Sequence, residues 1–266
     1  MPKRKPPPRR RRHHDDRPRH VETSWLYGLH TVAAALVNPA REISRIMLTE
    51  EAAGALSGPL ETAAGLGRPA PEIAARGDFD ALMPPGAVHQ GAAILADPLP
   101  PADFAAILAD SRAGATVVLL DQPSDPRNVG AVMRSAAAFS AACVVVPDRH
   151  APEATPVLAK AASGALDRLP LVRVGNVAQA MEQLKSAGFW CIGLTAEATT
   201  PIAGAATFDK TALIVGAEGR GLRRLTAENC DLLVRIPISP GVESLNMSAA
   251  AAIALYEVRR SAGEPG

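Results

Sequence analysis

The strongest constraint on the fold is an alternation of short apolar runs with helix-like segments, which extends from about residue 115 to residue 260. The apolar runs are typical of strands covered on both faces, and they occupy residues 116–120, 142–146, 169–172, 190–194, 212–215 and 233–236. Helical spacing, as in Val129, Val132, Met133 and Ala136, predicts helices at residues 129–139, 156–165, 177–186, 221–227 and 247–260. This alternation predicts a mainly parallel α/β sheet, with ligands bound beyond the carboxyl ends of its strands.

Residues 24–97 have a different pattern, which predicts a small mixed α+β domain. A helix is expected at residues 30–37, and strands are expected at residues 43–48, 69–73 and 92–96. The proline-rich run after Asp97 opposes regular structure, so residues 98–114 are predicted to be a linker. The α/β domain is then predicted to span residues 115–262.

Basic residues concentrate at the start of the chain. The whole sequence has a formal net charge of +1, yet its first 20 residues hold nine Lys and Arg against two acids. Five prolines and almost no apolar residues accompany them, so residues 1–23 are predicted to be a disordered arm. Such an arm attracts nucleic acid through counterion release, and a solubilising tail is the alternative.

The cysteines, histidines and apolar runs argue against several classes of protein. Cys143, Cys191 and Cys230 are widely spaced and odd in number, which disfavours a disulfide framework or a zinc site and favours a reducing, cytoplasmic compartment. No uncharged apolar run approaches about 18 residues, so no membrane span is expected. Outside the arm no histidine spacing suggests a metal site, and no G-x-S-x-G hydrolase motif is present.

The first candidate loop follows the predicted strand at 116–120 and carries Asn128 and Arg134. Asn128 stands where the N-cap of the next helix is expected, with its amide accepting from first-turn N–H groups. Arg134 lies on a different face of that helix, about 9 Å further along its axis. It is either a solvated or interface charge, or a phosphate clamp or catalytic cation in a cleft.

The second candidate loop is Gly216-Ala217-Glu218-Gly219-Arg220-Gly221, after the predicted strand at 212–215. Its glycines allow a sharp turn and a close approach to a ligand. The order G-x-x-G-x-G matches neither the dinucleotide fingerprint nor the nucleotide-binding loop that ends in G-K-[ST], so NAD and ATP are disfavoured. Glu218 is either a polar residue of the site or an ordinary surface carboxylate.

The third candidate loop spans residues 236–248 and places Ser244, Asn246 and Ser248 around the start of the last predicted helix. Helix capping accounts for one or two of these side chains. Backbone N–H groups at such a helix start are also donors for a ligand carboxylate or ring nitrogen.

In this order, the three loops resemble the signature motifs of the SpoU/TrmH family of RNA ribose 2′-O-methyltransferases, which belong to the SPOUT class. The similar segments are Asn128 with Arg134, GAEGRGL at residues 216–222 and IPISPGVESLNMSAAAAIALYE at residues 236–257. Residues 27–32 and 89–91 resemble the substrate-binding domain of the RlmB-like branch, which is similar to RNA-binding ribosomal proteins. The resemblance covers residues 24–260.

This resemblance implies an α/β SPOUT domain with a trefoil knot, preceded by a ribosomal-protein-like α+β RNA-binding domain. The family acts as homodimers, transfers a methyl group from S-adenosylmethionine and requires no metal. The positions that match its catalytic set are Asn128, Arg134, Glu218, Ser244 and Asn246. Cofactor contacts, largely through the backbone, are expected from Leu194, Thr195, Gly216, Ile236, Ser244 and Leu245.

The substrate that the resemblance implies is a guanosine of 23S rRNA. A tRNA substrate is the alternative within the family, although minimal tRNA enzymes often lack the N-terminal domain. A catalytically silent RNA-binding assembly factor and a small-molecule methyltransferase are the remaining interpretations. Because arginine is protonated at accessible pH, Arg134 is expected to stabilise a developing alkoxide rather than to act as a base.

Overall fold

The computed structural model describes residues 23–149, 151–204 and 208–261. The predicted basic arm lies outside the described residues except for Thr23, and Ala262, the last residue of the predicted α/β domain, also lies outside them. The described chain contains two sheets, one in each predicted domain.

The N-terminal unit is an α+β sandwich built on a four-stranded sheet. Its elements are β1 (Ser24–Tyr27), α1 (Leu29–Val37), β2 (Ile43–Leu48), α2 (Glu50–Ala55), α3 (Ser57–Gly65), β3 (Glu72–Ile73), α4 (Arg76–Asp80) and β4 (Ala92–Ala96). The strand order is β1-β4-β2-β3, in which β4 is antiparallel to both neighbours and β3 is parallel to β2. The predicted strand at 69–73 is shorter than expected because Pro69 and Pro71 have no N–H for a sheet hydrogen bond.

Alternating side chains cover the two faces of this sheet. Leu26, Ile46 and Ile94 point to one face and belong to the same core as Leu36 of α1. Tyr27, Met47 and Ala93 point to the other face, where they belong to a core with the fully buried Phe79 of α4. The sheet is therefore covered by helices on both faces.

The segment predicted as a linker contains a helix, α5 (Phe104–Asp110). Asp103 caps it by accepting from the N–H groups of Ala105 and Ala106. Phe104 and Leu108 are buried with Val117 and other residues of the second sheet. Half of the connection thus packs against the α/β unit.

The C-terminal unit is a six-stranded sheet in which every strand pair is parallel. Its elements are β5 (Thr116–Leu120), α6 (Pro126–Ala138), β6 (Cys143–Pro147), α7 (Pro156–Ala162), β7 (Leu171–Val174), α8 (Val177–Ser186), β8 (Trp190–Leu194), β9 (Thr211–Val215), α9 (Arg224–Glu228), β10 (Leu232–Val234) and α10 (Met247–Ser261). The strand order is β10-β8-β9-β5-β6-β7. The predicted parallel α/β architecture is confirmed.

Two predicted boundaries are wrong for identifiable reasons. The strand expected at 169–172 begins at Leu171, after Pro170, which has no N–H to donate. The helix expected at 221–227 begins at Arg224, because Gly221 has a positive φ of 62° and the backbone N–H of Arg223 bonds to Asp121.

A buried ion pair joins the two units. The Nε of Arg41 donates to Asp167 at 2.8 Å, and the two side chains are 3% and 0% exposed. Asn38 donates to the same carboxylate oxygen at 3.1 Å, and the hydroxyl of Thr31 donates to the carbonyl of Ala159 on α7. Since one hydrophobic core also runs through both units, they form a single packed body.

Candidate active site

A cavity of about 550 Å³ lies at the carboxyl ends of β8, β9 and β10, the edge at which parallel sheets bind ligands. Small-molecule sites commonly have roughly 300–1,000 Å³. The cavity is lined by all six residues predicted to contact a cofactor: Leu194, Thr195, Gly216, Ile236, Ser244 and Leu245. The fold thus brings these residues to one place, and their role as cofactor contacts stays a prediction.

The glycine-rich loop closes tightly on itself beside this cavity. Ala217 and Gly221 exchange backbone hydrogen bonds at 3.0 and 2.9 Å, and Gly219 and Gly221 adopt positive φ angles of 73° and 62°. A Cβ on Gly216 would lie 2.2 Å from the carbonyl carbon of Gly221. The closed turn therefore requires glycine at position 216.

The three predicted loops meet through one chain of side-chain hydrogen bonds. The amide nitrogen of Asn128 donates to the carboxylate of Glu218 at 3.2 Å. The amide nitrogen of Asn246 donates to the carbonyl oxygen of Asn128 at 3.0 Å. The backbone N–H and the hydroxyl of Ser248 both donate to the side-chain oxygen of Asn246, at 2.8 and 2.6 Å. These contacts fix the orientation of three residues from the predicted catalytic set.

The expected N-cap role of Asn128 is wrong. Helix α6 begins two residues earlier, at Pro126, and Asp125 is its N-cap, accepting from the N–H of Arg127 at 2.8 Å. Proline is favoured at the first helical position because it has no N–H that needs a partner there. The amide of Asn128 is thereby left for Glu218 and Asn246.

Ser244 and Arg134 lie at different places relative to the cavity and its hydrogen-bonded residues. Ser244 lines the cavity, whereas Arg134 is absent from its lining. Arg134 is exposed on α6, and within the described parts of the chain no hydrogen bond or ion pair engages its guanidinium. The fold therefore holds Asn128, Glu218, Ser244 and Asn246 at or beside the cavity and leaves Arg134 outside its lining.

Acidic side chains dominate the charge of the cavity. Among the residues that the structure describes, its lining includes the carboxylates of Glu197, Glu218 and Glu243 and a single guanidinium, that of Arg220. The hydroxyl of Thr195 donates to Glu197 and, with a backbone N–H, holds the pKa of that carboxyl below its ordinary value. The cavity is thus suited to a ligand with net positive charge.

A supporting residue that the sequence analysis missed is Asp121, at the end of β5. Its carboxylate is fully shielded from solvent and accepts from the backbone N–H of Arg223 at 3.0 Å and from the Arg223 guanidinium at 2.7 Å. These bonds tie the exit of the glycine-rich loop to the central strand. The sequence feature that could have indicated Asp121 is that this single acid directly follows the continuous apolar run at 116–120.

Among residues 23–149, 151–204 and 208–261 there is no helix long and apolar enough to cross a membrane. The same ranges hold no cluster of three or more His, Cys, Asp or Glu residues that is arranged to bind a metal ion.

The fold and the site together define a parallel α/β protein with a ligand cavity at its strand ends and a separate α+β unit in front. Residues 115–256 match the SpoU rRNA Methylase family, and residues 25–102 match the family described as RNA 2′-O ribose methyltransferase substrate binding. The chain belongs to the SpoU rRNA methylase family, as its motifs predicted.

Known relatives agree with this assignment. The chain is 35% identical to the 23S rRNA (guanosine-2′-O-)-methyltransferase RlmB of Pseudomonas syringae pv. tomato, over 88% of this chain and 94% of that protein. It is also 35% identical to RlmB of Coxiella burnetii, over 90% of this chain and 96% of that protein. Among solved structures, the SpoU methyltransferase AviRb from Streptomyces viridochromogenes, in complex with AdoMet, shares the fold with a TM-score of 0.73, 24% identity and coverage of 89% of each chain.

Proposed function

We propose that this protein methylates a ribose 2′-hydroxyl of a guanosine in 23S rRNA, with S-adenosylmethionine as the methyl donor. The observation that carries the proposal is the chain of hydrogen bonds from Glu218 through Asn128 to Asn246 beside the cavity. It joins the three family motifs at one point. The names of the RlmB relatives support the choice of substrate.

The cavity fits S-adenosylmethionine in charge and size. This cofactor carries a sulfonium and an ammonium group against one carboxylate, and the cavity has three carboxylates and one guanidinium. Gly216, Leu194 and Ile236 stand at or just after the ends of three adjacent strands and line the cavity, where their backbone groups would bind an adenine edge. Thr195, Ser244 and Leu245 complete the proposed contacts. When bound, S-adenosylmethionine supplies a methyl group on a sulfonium, ready for displacement by a nucleophile.

The residues of the chain position the ribose and stabilise charge. Asn128 uses one amide hydrogen for Glu218, which leaves its second amide hydrogen to donate to an RNA oxygen. Glu218 and Asn246 hold that amide in a fixed orientation, and Ser244 shapes the adjoining wall of the cavity. In-line methyl transfer depends on such alignment of the reacting atoms.

Arg134 acts across a homodimer in this proposal. Arg134 is exposed on α6 and does not reach the cavity of its own chain. At the end of the same helix, Phe139 contacts the exposed Tyr256 of α10 edge-on at 6.3 Å, and Ile253 of α10 is also exposed. A second copy that covers these apolar side chains brings Arg134 to the neighbouring cavity. There its guanidinium stabilises the alkoxide that develops on the 2′-oxygen and an adjacent RNA phosphate.

The remaining assignments follow from this function. We assign RNA binding to residues 24–97, connection to residues 98–114 and methyl transfer to residues 115–262, with the carboxyl-terminal part of the latter threaded as a trefoil knot. Residues 1–23 add non-specific attraction to RNA through their positive charge. A substrate in ribosomal RNA and three cysteines without a disulfide partner support a cytoplasmic location.

The test is incubation of the full chain with methyl-labelled S-adenosylmethionine and RNA from cells that lack the endogenous enzyme, followed by mapping of the labelled ribose. Label on one guanosine of 23S rRNA is the expected result. Label in tRNA alone would reassign the substrate. Cofactor binding without transfer to any RNA would instead indicate a silent assembly factor.

A further inference from the structure

A second cavity, of about 440 Å³, lies in the N-terminal unit, away from the residues of the candidate active site. Its lining includes Leu29, Glu51, Arg76, Val88, His89 and Gln90. Leu29 and His89-Gln90 come from the two segments that marked the N-terminal domain in the sequence. The proposed methyl-transfer chemistry uses none of these side chains.

An aromatic ring is held rigidly in the wall of this cavity. The imidazole of His89 stacks on the buried Phe79, with ring centroids 4.6 Å apart and planes 9° from parallel. The backbone N–H of Gly91 donates to Nδ1 of His89 at 3.1 Å, which leaves the other ring nitrogen to carry a proton and donate. Phe79 covers one face of the imidazole, and His89 also lines the cavity, so a ligand in the cavity can reach the ring.

Polar groups surround this ring in an arrangement that suits a nucleotide. Arg76 pairs with Glu51 at 3.4 Å, but the two side chains are 74% and 84% exposed, so both are available to a ligand. Gln90 accepts from the ammonium of Lys160 at 2.8 Å. Arginine and lysine bind phosphates, whereas a carboxylate and an amide bind the polar edge of a base.

We propose that this cavity binds an unpaired nucleotide of the RNA substrate, an inference that rests on the proposed function. The base stacks on His89 against the apolar side chains of Leu29 and Val88. Glu51 and Gln90 bond to the base edge, and Arg76 contacts the neighbouring phosphate. Proteins recognise RNA sequence mainly in this way, with splayed bases stacked on aromatic rings and bonded along their edges.

The structure links this cavity to the active site through α7. Lys160, which donates to Gln90 in the cavity wall, belongs to α7, and the N-terminal unit also bonds to α7 through Thr31 and Ala159. Helix α7 packs on α6 so closely that a Cβ on Gly130 would lie 2.5 Å from the carbonyl oxygen of Leu158. Since α6 carries Asn128, the bound nucleotide is held at a fixed position relative to the reacting ribose.

The test compares the full-length wild type with His89→Ala and Arg76→Ala in methyl transfer to unmodified 23S rRNA. We expect each variant to raise KM for RNA by about fivefold or more, because base stacking and phosphate contacts contribute on that scale. The value of kcat and the Kd for S-adenosylmethionine should stay within about twofold of the wild type. His89→Phe keeps an aromatic plane on Phe79 and should restore most of the affinity.

A matched control is Arg224→Ala on α9, because Arg224 is 84% exposed, against 74% for Arg76, and also pairs with a glutamate, Glu228. KM values within twofold of the wild type for both His89→Ala and Arg76→Ala, with thermal midpoints unchanged, would overturn the proposal. If the wild type transfers no methyl group to RNA, the proposed function fails on its own. Fluorescence anisotropy with a short single-stranded oligoribonucleotide then decides the nucleotide site: binding that His89→Ala weakens supports it, and binding that His89→Ala leaves unchanged overturns it.

Discussion

Asn128 and Glu218 are 90 positions apart in the chain, yet their side chains share a hydrogen bond of 3.2 Å beside the larger cavity. The bond exists because β5 and β9 are adjacent in the sheet, so the loops that follow them emerge side by side. The amide nitrogen is the donor and the carboxylate is the acceptor. A change that removes the donor therefore breaks the link between two motifs.

Asn128→Asp should abolish methyl transfer, with kcat lowered by at least about 100-fold, while S-adenosylmethionine still binds. The new carboxylate faces Glu218 and Asn246 without the donor that Glu218 requires. Loss of one such oriented hydrogen bond commonly costs a factor of about 100 to 1,000 in rate. Single-turnover kinetics and cofactor titration measure the two effects separately. Asn176→Asp is the control, because Asn176 caps α8 as an acceptor and aspartate caps equally well.

Arg134→Ala should retain the fold and the affinity for S-adenosylmethionine but lose methyl transfer. The side chain is exposed and bonds to no group in the described part of the chain, so its removal leaves no buried group unsatisfied. Circular dichroism, cofactor titration and labelled-methyl transfer check the three expectations. Turnover equal to that of the wild type would remove Arg134 from the mechanism.

Gly130→Ala should lower both stability and activity, because α6 and α7 meet at this position. A Cβ there would lie 2.5 Å from the carbonyl oxygen of Leu158 and 2.7 Å from the Cβ of Ala161. Overpacking of this kind costs about 1–3 kcal/mol in the free energy of unfolding, and any separation of the helices displaces Asn128. Urea denaturation measures the cost.

The control for this substitution is Gly54→Ala in α2, where a Cβ would meet no atom within 4 Å. That variant should be as stable as the wild type or more stable by up to about 1 kcal/mol, because alanine favours the helix. Equal stability of the two alanine variants would contradict the close packing of α6 on α7.

Asp167→Ala should destabilise the protein by about 3–5 kcal/mol, because it leaves the guanidinium of Arg41 buried without its carboxylate. The exposed pair of Arg45 and Glu72, at 2.7 Å, is the control. Glu72→Ala should cost far less stability than Asp167→Ala, since solvent screens that pair. Similar losses in both variants would show that the interface between the units does not depend on the buried pair.

Deletion of residues 1–22 should weaken binding to rRNA and reduce its dependence on salt. The segment holds nine Lys and Arg against three acids, and each phosphate contact that is lost lowers the slope of log K against log salt by about one. Filter binding over a range of KCl concentrations measures the slope. An unchanged slope would reduce the segment to a solubilising tail.

The parallel sheet could be predicted because its strands are continuous apolar runs, and such runs occur where both faces of a sheet are covered. The predicted strands at 116–120 and 190–194 are confirmed, with the same bounds, as β5 and β8. The loops that carry Asn128, Glu218 and Asn246 could also be found, since each directly follows or precedes a clear element. Their motifs, rather than their periodicity, indicated that they share one site.

Contacts between distant residues could not be predicted in the same way. The pairing of Arg41 with Asp167 spans 126 positions, and nothing local distinguishes either residue from a surface charge. The strand order likewise depends on which apolar runs pair with each other in the sheet. The residues of one run do not indicate its partner. The predicted start of α6 is wrong because Asp125 caps the helix and Pro126 takes its first position, so the helix begins before Asn128.

The buried ion pair of Arg41 and Asp167 packs the two units of the chain directly against each other. Two domains joined only by a flexible linker can change their separation, whereas these two units share one hydrophobic core. If the smaller cavity binds a nucleotide as proposed, the distance from that nucleotide to the target ribose is set by the packing of the two units. An RNA that contacts both units would therefore be selected by the spacing between its two contact points.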